Sequence, residues 1–222
     1  MYCLICHNQI EAGVTWTSIF TFKEHVPLCQ KCTSEFQPIH SPTCPYCGRD
    51  DVPQCFDCRY WKPEHLLTKN RAVFRYNHFL KEVIYRFKYR GDYQLVEGFG
   101  PLFRARFKEA FDSLPKTTRL VPIPLSEARL KARAFNQAEA LAKLLPFETV
   151  ELLRRTSGEK QAKKNRRSRL AMENPFELTR VDEPSPVIII DDIYTTGATI
   201  HHAARVLKEN GYDEVASFTL GR

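Results

Sequence analysis

The sequence predicts an α/β protein, a parallel sheet with flanking helices, preceded by a small Cys-rich module. Three observations predict it. All eight cysteines lie in the first 58 residues, as four Cys-x-x-Cys pairs. From residue 119 onward, short apolar strands alternate with helical stretches. One of those strands, Val187-Ile188-Ile189-Ile190, is apolar at every position, which suits a central strand covered on both faces. A chain of 222 residues accommodates one full domain and a small accessory one, divided here as 1–60 and 61–222.

The pairs are Cys3/Cys6, Cys29/Cys32, Cys44/Cys47 and Cys55/Cys58. Two thiolates at this spacing bite one metal ion from a tight knuckle, and two knuckles complete a tetrahedral Cys₄ zinc site. Four knuckles therefore supply two Zn2+ sites. Sequential pairing is the simplest, and a cross-braced pairing is the alternative. Cys44-Pro-Tyr-Cys47-Gly48 suits a zinc ribbon, because Gly48 lets the chain turn and leaves amides free for the sulfurs. A redox reading fits poorly, since such a motif usually stands alone at a helix start.

The later elements follow in order. Phe79, Leu80, Val83, Ile84 and Phe87 recur at helical spacing, and Gly91 ends that helix. Residues 93–111 read as a second amphipathic helix, with an interruption expected near Gly98–Pro101. Residues 119–124 form a strand stopped by proline, 136–145 a helix, and 147–153 a strand. Residues 197–210 are helical up to Gly211, and 214–220 form a last strand. Ala72-Val73-Phe74 is a strand or short edge.

Between the apolar strand and the helix after it lies Asp191-Asp192-Ile193-Tyr194-Thr195-Thr196-Gly197-Ala198-Thr199. In an open parallel sheet, ligands collect at the carboxyl ends of the strands. Free amides and the dipole at a helix start favour a dianionic phosphate. Gly197 admits the phosphate close to the backbone, and Thr195, Thr196 and Thr199 add hydroxyl donors. Two acids beside a phosphate cradle suit the hydroxyls of a ribose. No lysine precedes the threonines, so this is not a Walker loop.

Residues 187–199 resemble the ribose-phosphate signature of the type I phosphoribosyltransferases. The resemblance implies phosphoribosyl diphosphate with Mg2+ as ligand. It places Asp191 and Asp192 at the ribose, and Thr195, Thr196, Gly197, Ala198 and Thr199 around the 5′-phosphate. Val121-Pro122-Ile123-Pro124 resembles the family's diphosphate-loop strand, with Arg129 and Arg133 following as cations for that diphosphate. Eight leading cysteines, Phe87-Lys88-Tyr89-Arg90-Gly91-Asp92, and Arg133-Ala134-Phe135-Asn136-Gln137 narrow the resemblance to the ComF family of competence proteins. That family implies a double zinc ribbon before a type I phosphoribosyltransferase-like domain. It also implies a role in DNA uptake during natural transformation, beside a helicase-type DNA-translocating ATPase. Ala134 departs from the glycine usual at its position. An active phosphoribosyltransferase with an unknown acceptor is the alternative.

The net charge of +7 is unevenly spread. Residues 154–169 alone carry a net +7, and residues 61–118 carry +6, while 1–60 carry −2. Two zinc-tetrathiolate sites make the cysteine module more acidic still. Phosphate binding needs a basic surface, so single-stranded DNA is expected on the second domain, not on the zinc module. Lys163, Lys164, Arg166, Arg167 and Arg169 read as a DNA clamp, as a lid over diphosphate, or as a solvated loop. No stretch approaches the roughly 20 apolar residues of a membrane span, and residues 1–6 lack a leader pattern. The expected location is the cytoplasm, at the inner face of the membrane if partners hold it there.

Overall fold

A computed structural model of the chain describes residues 1–10, 26–53, 55–61, 64–156 and 174–222. Its elements in order are α1 (Gln30–Glu35), α2 (Phe56–Trp61), β1 (Asn70–Phe74), α3 (His78–Tyr89), α4 (Leu95–Ala110), β2 (Arg119–Pro122), α5 (Glu127–Arg133) and α6 (Gln137–Ala142). Then come β3 (Glu148–Thr149), β4 (Leu153–Arg155), β5 (Phe176–Leu178), β6 (Val187–Ile193), α7 (Ala198–Glu209) and β7 (Val215–Gly221).

The apolar strand β6 takes the centre of a five-stranded sheet of order β1-β7-β6-β2-β3, parallel at each pairing. Its side chains alternate between two cores. Ile188 and Ile190 pack with Leu80, Ile84 and Phe87 of α3 and Phe99 and Phe103 of α4. Val187 and Ile189 pack with Ile200, Ala203 and Leu207 of α7. Helices on both faces bury the strand twice over, as its composition requires. The chain runs from β2 outward to β3 on one side, then crosses to β6 on the other. The order thus reverses between β2 and β6, the switch point at whose carboxyl ends an open parallel sheet collects ligands.

Two sequence expectations change. The helix over residues 93–111 has no interruption, since α4 runs unbroken through Pro101. Proline forfeits one backbone bond, while Val96, Phe99, Phe103 and Phe107 are all buried along the helix. The single strand over 147–153 becomes two. β3 pairs in parallel with β2, and β4 leaves the main sheet to pair antiparallel with β5, Leu153 opposite Leu178. An apolar run carries no mark of where a chain changes partner.

The cysteine region continues into both cores. Pro38 bridges Phe74, and the Ile39 amide donates to Val73 O at 2.9 Å, covering the outer edge of β1. Cys3 and Cys32 pack in the α3/α4 core, and Cys44, Cys47, Cys55 and Cys58 in the α7 core. Buried Asn70 ties the layers together. Its Nδ2 donates to Cys47 O at 2.9 Å, and its Oδ1 accepts from Ser217 Oγ at 2.9 Å. No described helix is long and apolar enough to cross a membrane.

Candidate functional site

The eight cysteines gather as two tetrads, Cys3/Cys6/Cys29/Cys32 and Cys44/Cys47/Cys55/Cys58, each with its sulfurs within 4.8 Å of one another. The pairing is sequential, and the cross-braced alternative is excluded. Tetrahedral zinc with bonds of about 2.3 Å sets its sulfurs about 3.8 Å apart. Cys6–Cys29 at 3.6 Å, Cys44–Cys58 at 3.7 Å and Cys47–Cys55 at 3.5 Å fit that cage. Gly48 has φ 73°, and an added Cβ there would lie 2.9 Å from Asn70 O, so the knuckle turn demands glycine. Burial opposes ionisation of Cys3, but backbone N–H groups of Cys6, Cys29 and Ile5 prevail and bring it down to about 6. Cys44 is likewise lowered, against burial, by the amides of Cys47, Cys55 and Tyr46. Amides directed at the sulfurs favour the thiolates that a metal needs.

Asp191 and Asp192 lie near the carboxyl end of β6, at this switch point. Asp191 lies opposite Thr219 of β7, and the Ile123 amide donates to Ile190 O at 3.0 Å, so the end of β2 sits directly beside the acids. The Asp192 amide donates to Asp191 Oδ1 at 2.8 Å. The Asp192 carboxylate pairs with Lys88 Nζ, both side chains being mostly withdrawn from water. Desolvation, then the Asp192 charge, push Asp191 well above the usual carboxylate range, and Lys88 only partly opposes them.

That shift has a sign. Below the ordinary carboxylate range Asp191 is protonated in both states. As pH rises, the unfolded chain ionises first and the native residue lags, so ligand-free stability falls until the raised native pKa is passed. Asp191→Asn is expected to flatten this slope and raise the ligand-free thermal midpoint at neutral pH. Scanning calorimetry between pH 5 and 8 reads it, and a lowered midpoint contradicts it.

The loop after the acids rests on a buried aromatic floor. Tyr194 is buried and its hydroxyl meets His201 Nε2 at 3.0 Å. Burial lowers His201 to about 3, so its ring is neutral. Trp61 stacks on it with ring centres 4.5 Å apart, and Trp61 Nε1 donates to Thr196 O at 2.9 Å. Gly197 caps α7 with φ 81° and without a side-chain cap bond, and an added Cβ would lie 2.3 Å from the Tyr194 hydroxyl oxygen. The glycine is thus required twice, by its backbone and by Tyr194 beneath it. Thr195 and Thr199 are exposed, while Thr196 is buried and its Oγ1 accepts from the Ala198 amide at 3.4 Å.

The two short motifs prove to be one joint. In residues 87–92, Phe87 packs on Phe135, Lys88 reaches Asp192, Tyr89 lies under Arg133, and Asp92 pairs with Arg86 at 2.9 Å. In residues 133–137, Arg133 donates to Gln137 Oε1 at 2.8 Å, and Asn136 caps α6 while donating to Ile123 O at 3.0 Å. The last turn of α3 therefore braces the acids and the end of β2 together. Ala134 has φ 65°, the left-handed cap of α5. That conformation costs a non-glycine residue about 1 kcal/mol, and glycine would adopt it freely. Pro122 and Ile123 are buried beside the acids, whereas Arg129 is half-buried on α5 and Arg133 is engaged by Gln137 and Tyr89.

Lys88, Trp61, Tyr194, His201 and Arg222 were not singled out by the sequence. Lys88 lies within residues 87–92 with nothing local to mark it as the partner of an acid, and Arg222 carries no local signal. Lys163, Lys164, Arg166, Arg167 and Arg169 lie outside the described residues.

No family model matches the chain. It is 40% identical to "Competence protein ComFC" of Bacillus subtilis (strain 168), across 100% of this chain and 95% of that one. It is 35% identical to "Competence protein ComFC" of Streptococcus pneumoniae, across the full length of both. It is 26% identical to "DNA utilization protein YhgH" of Escherichia coli (strain K12), across 99% of this chain and 96% of that one. Full-length identity at this level, with both cysteine tetrads formed and the acid pair at the sheet's switch point, decides the matter: this chain belongs to the ComF family of competence proteins.

Proposed function

We propose that this chain is an accessory protein of DNA uptake in natural transformation, working in the cytoplasm beside a helicase-type DNA-translocating ATPase and binding single-stranded DNA. Its phosphoribosyltransferase-like domain binds phosphoribosyl diphosphate with Mg2+, and its two cysteine tetrads hold structural Zn2+. The names of its relatives supply the uptake role. The observation that carries the ligand is the placement of Asp191 and Asp192 near the carboxyl end of β6, beside the end of β2 at the switch point of the sheet and just ahead of a Gly197-capped helix. In this reading the acids hold the ribose hydroxyls, and the amides and hydroxyls of residues 195–199 hold the 5′-phosphate. The end of β2, Pro122 and Ile123, with Arg129 and Arg133, takes the diphosphate. Mg2+ supplies charge neutralisation of the diphosphate when bound.

For DNA, the basic segment carries the reading. Charge reversal at Lys163, Lys164, Arg166 and Arg167 is expected to weaken single-strand binding by about tenfold or more and to flatten its salt dependence. Fluorescence anisotropy with a labelled oligonucleotide at several salt concentrations measures both. Unchanged affinity would remove the clamp and leave the segment as a lid.

A second reading, transfer to an acceptor, is favoured by a groove of about 970 Å³ beside the end of β2, lined by Leu125, Ser126, Glu139, Arg154 and Arg155 among others. Release of inorganic diphosphate, dependent on Asp191 and on an added acceptor, separates this reading from binding alone.

A further inference from the structure

Three consecutive carbonyls of the loop face inward onto fixed donors. Arg222 Nη1 donates to Tyr194 O at 3.2 Å and to Thr195 O at 2.8 Å, and Trp61 Nε1 donates to Thr196 O at 2.9 Å. Among the described residues no peptide is cis. In a planar trans peptide, the carbonyl and the following N–H point in opposite directions. The amides of Thr195, Thr196 and Gly197 are therefore turned away from Arg222 and Trp61. Amides freed in this way just ahead of a helix start are available to an anion, and the helix dipole favours one there.

The donors are themselves anchored. The Arg222 amide donates to Phe74 O, and its carbonyl accepts from the Tyr76 amide, both at 2.9 Å. Its guanidinium lies 4.9 Å from the centre of the Tyr194 ring. The other guanidinium nitrogen, Nη2, faces Cys47 Sγ at 3.1 Å and Cys55 Sγ at 3.5 Å. Trp61 belongs to α2, the helix that carries Cys58. One side of Arg222 thus holds the loop and the other holds two sulfurs of the second tetrad.

We propose that Arg222 and Trp61 are positioning residues that set the 5′-phosphate loop by holding its carbonyls inward, and that the second cysteine tetrad anchors Arg222 for that task. This rests on the ribose-phosphate reading above. Cys47 Sγ and Cys55 Sγ accept from the guanidinium from behind, so that its remaining N–H groups meet the loop at a set angle. The tetrad and the phosphate loop then form one coupled unit through a single side chain.

The test uses the full chain with ribose 5-phosphate as probe. Calorimetric titration of Arg222→Met is expected to show affinity at least about tenfold weaker, the loss of a charge-assisted bond, with about two zinc equivalents retained. Arg222→Lys recovers part of it, because an ammonium reaches the loop or the sulfurs but not both in the same geometry. Trp61→Phe keeps the stacked ring, removes only the donor, and weakens binding about threefold or more; it decides the matter if Arg222→Met does not fold. Reciprocal coupling supplies a readout that a merely structural role would not move. In the cobalt-loaded chain, ribose 5-phosphate is expected to shift the thiolate-to-cobalt absorption, and Arg222→Lys to diminish that shift. Undiminished affinity in Trp61→Phe and Arg222→Lys, or an unshifted cobalt spectrum in a wild-type chain that does bind, overturns the inference and leaves the ribose-phosphate reading standing. A wild-type chain without affinity for ribose 5-phosphate overturns the reading and the inference with it.

Discussion

Replacing Cys44 and Cys47 with serine is expected to lower bound zinc from about two equivalents to about one and to lower the thermal midpoint by about 10 °C or more. The size follows from where the tetrad sits. All four of its cysteines are buried, in the same core as Val187, Ile189 and α7. Structural zinc in small modules contributes on the order of 10 kcal/mol of folding free energy, comparable with the whole stability of a typical domain. In a chain of this size, each kcal/mol moves the midpoint by about 2–4 °C. Serine removes the ligands and leaves hydroxyls in a cavity shaped for sulfur. The first tetrad offers a contrast, since Cys6 and Cys29 are only half-buried. Serine at those two positions is expected to cost less. Metal analysis with differential scanning calorimetry on both pairs reads the ordering. A Cys44/Cys47 variant that keeps two zinc equivalents, or melts with the wild type, contradicts it.

Phosphoribosyl diphosphate with Mg2+ is expected to raise the midpoint of the wild-type chain, and Asp191→Ala with Asp192→Ala to abolish the rise. A ligand at about one hundred times its Kd adds about 2.7 kcal/mol, which amounts to about 5–10 °C here. The double variant removes the carboxylates that the proposal sets at the ribose. It also strands Lys88, whose ammonium pairs with Asp192, so the unliganded midpoint falls as well. The comparison that matters is therefore the ligand-induced difference within each variant. Lys88 deepens the case. In the ligand-free chain it holds Asp192, while Asp191 is left with the charge of its neighbour and a raised pKa. An ionised carboxylate accepts from ribose hydroxyls better than a protonated one, so the ligand-induced rise should grow with pH as Asp191 ionises. A rise that is equal in the double variant, or that shrinks with pH, contradicts this account.

What the sequence revealed follows from what is local. Val187-Ile188-Ile189-Ile190 specified a central strand by composition alone, and both faces are indeed covered. Four Cys-x-x-Cys pairs specified two metal cages, though only the fold chose sequential pairing. Gly197 was legible as a close approach to the backbone. That Tyr194 occupies the space beneath it was not, because a buried tyrosine reads as core. Arg222 lies 28 and 27 residues from the two carbonyls it holds, and Trp61 lies 135 from its own, beyond the reach of any local pattern. The division of residues 147–153 between two sheets was hidden for the same reason, since strand pairing is decided by distant partners such as Phe176 and Leu178.

The central claim is that residues 191–199 hold the phosphorylated ribose. A diffraction structure of crystals grown with phosphoribosyl diphosphate and Mg2+ tests it most directly. The account predicts the 5′-phosphate within hydrogen-bonding distance of the amides of Thr195, Thr196 and Gly197, with the ribose hydroxyls on Asp191 and Asp192. Ligand density elsewhere on the chain, with this loop empty, would contradict it.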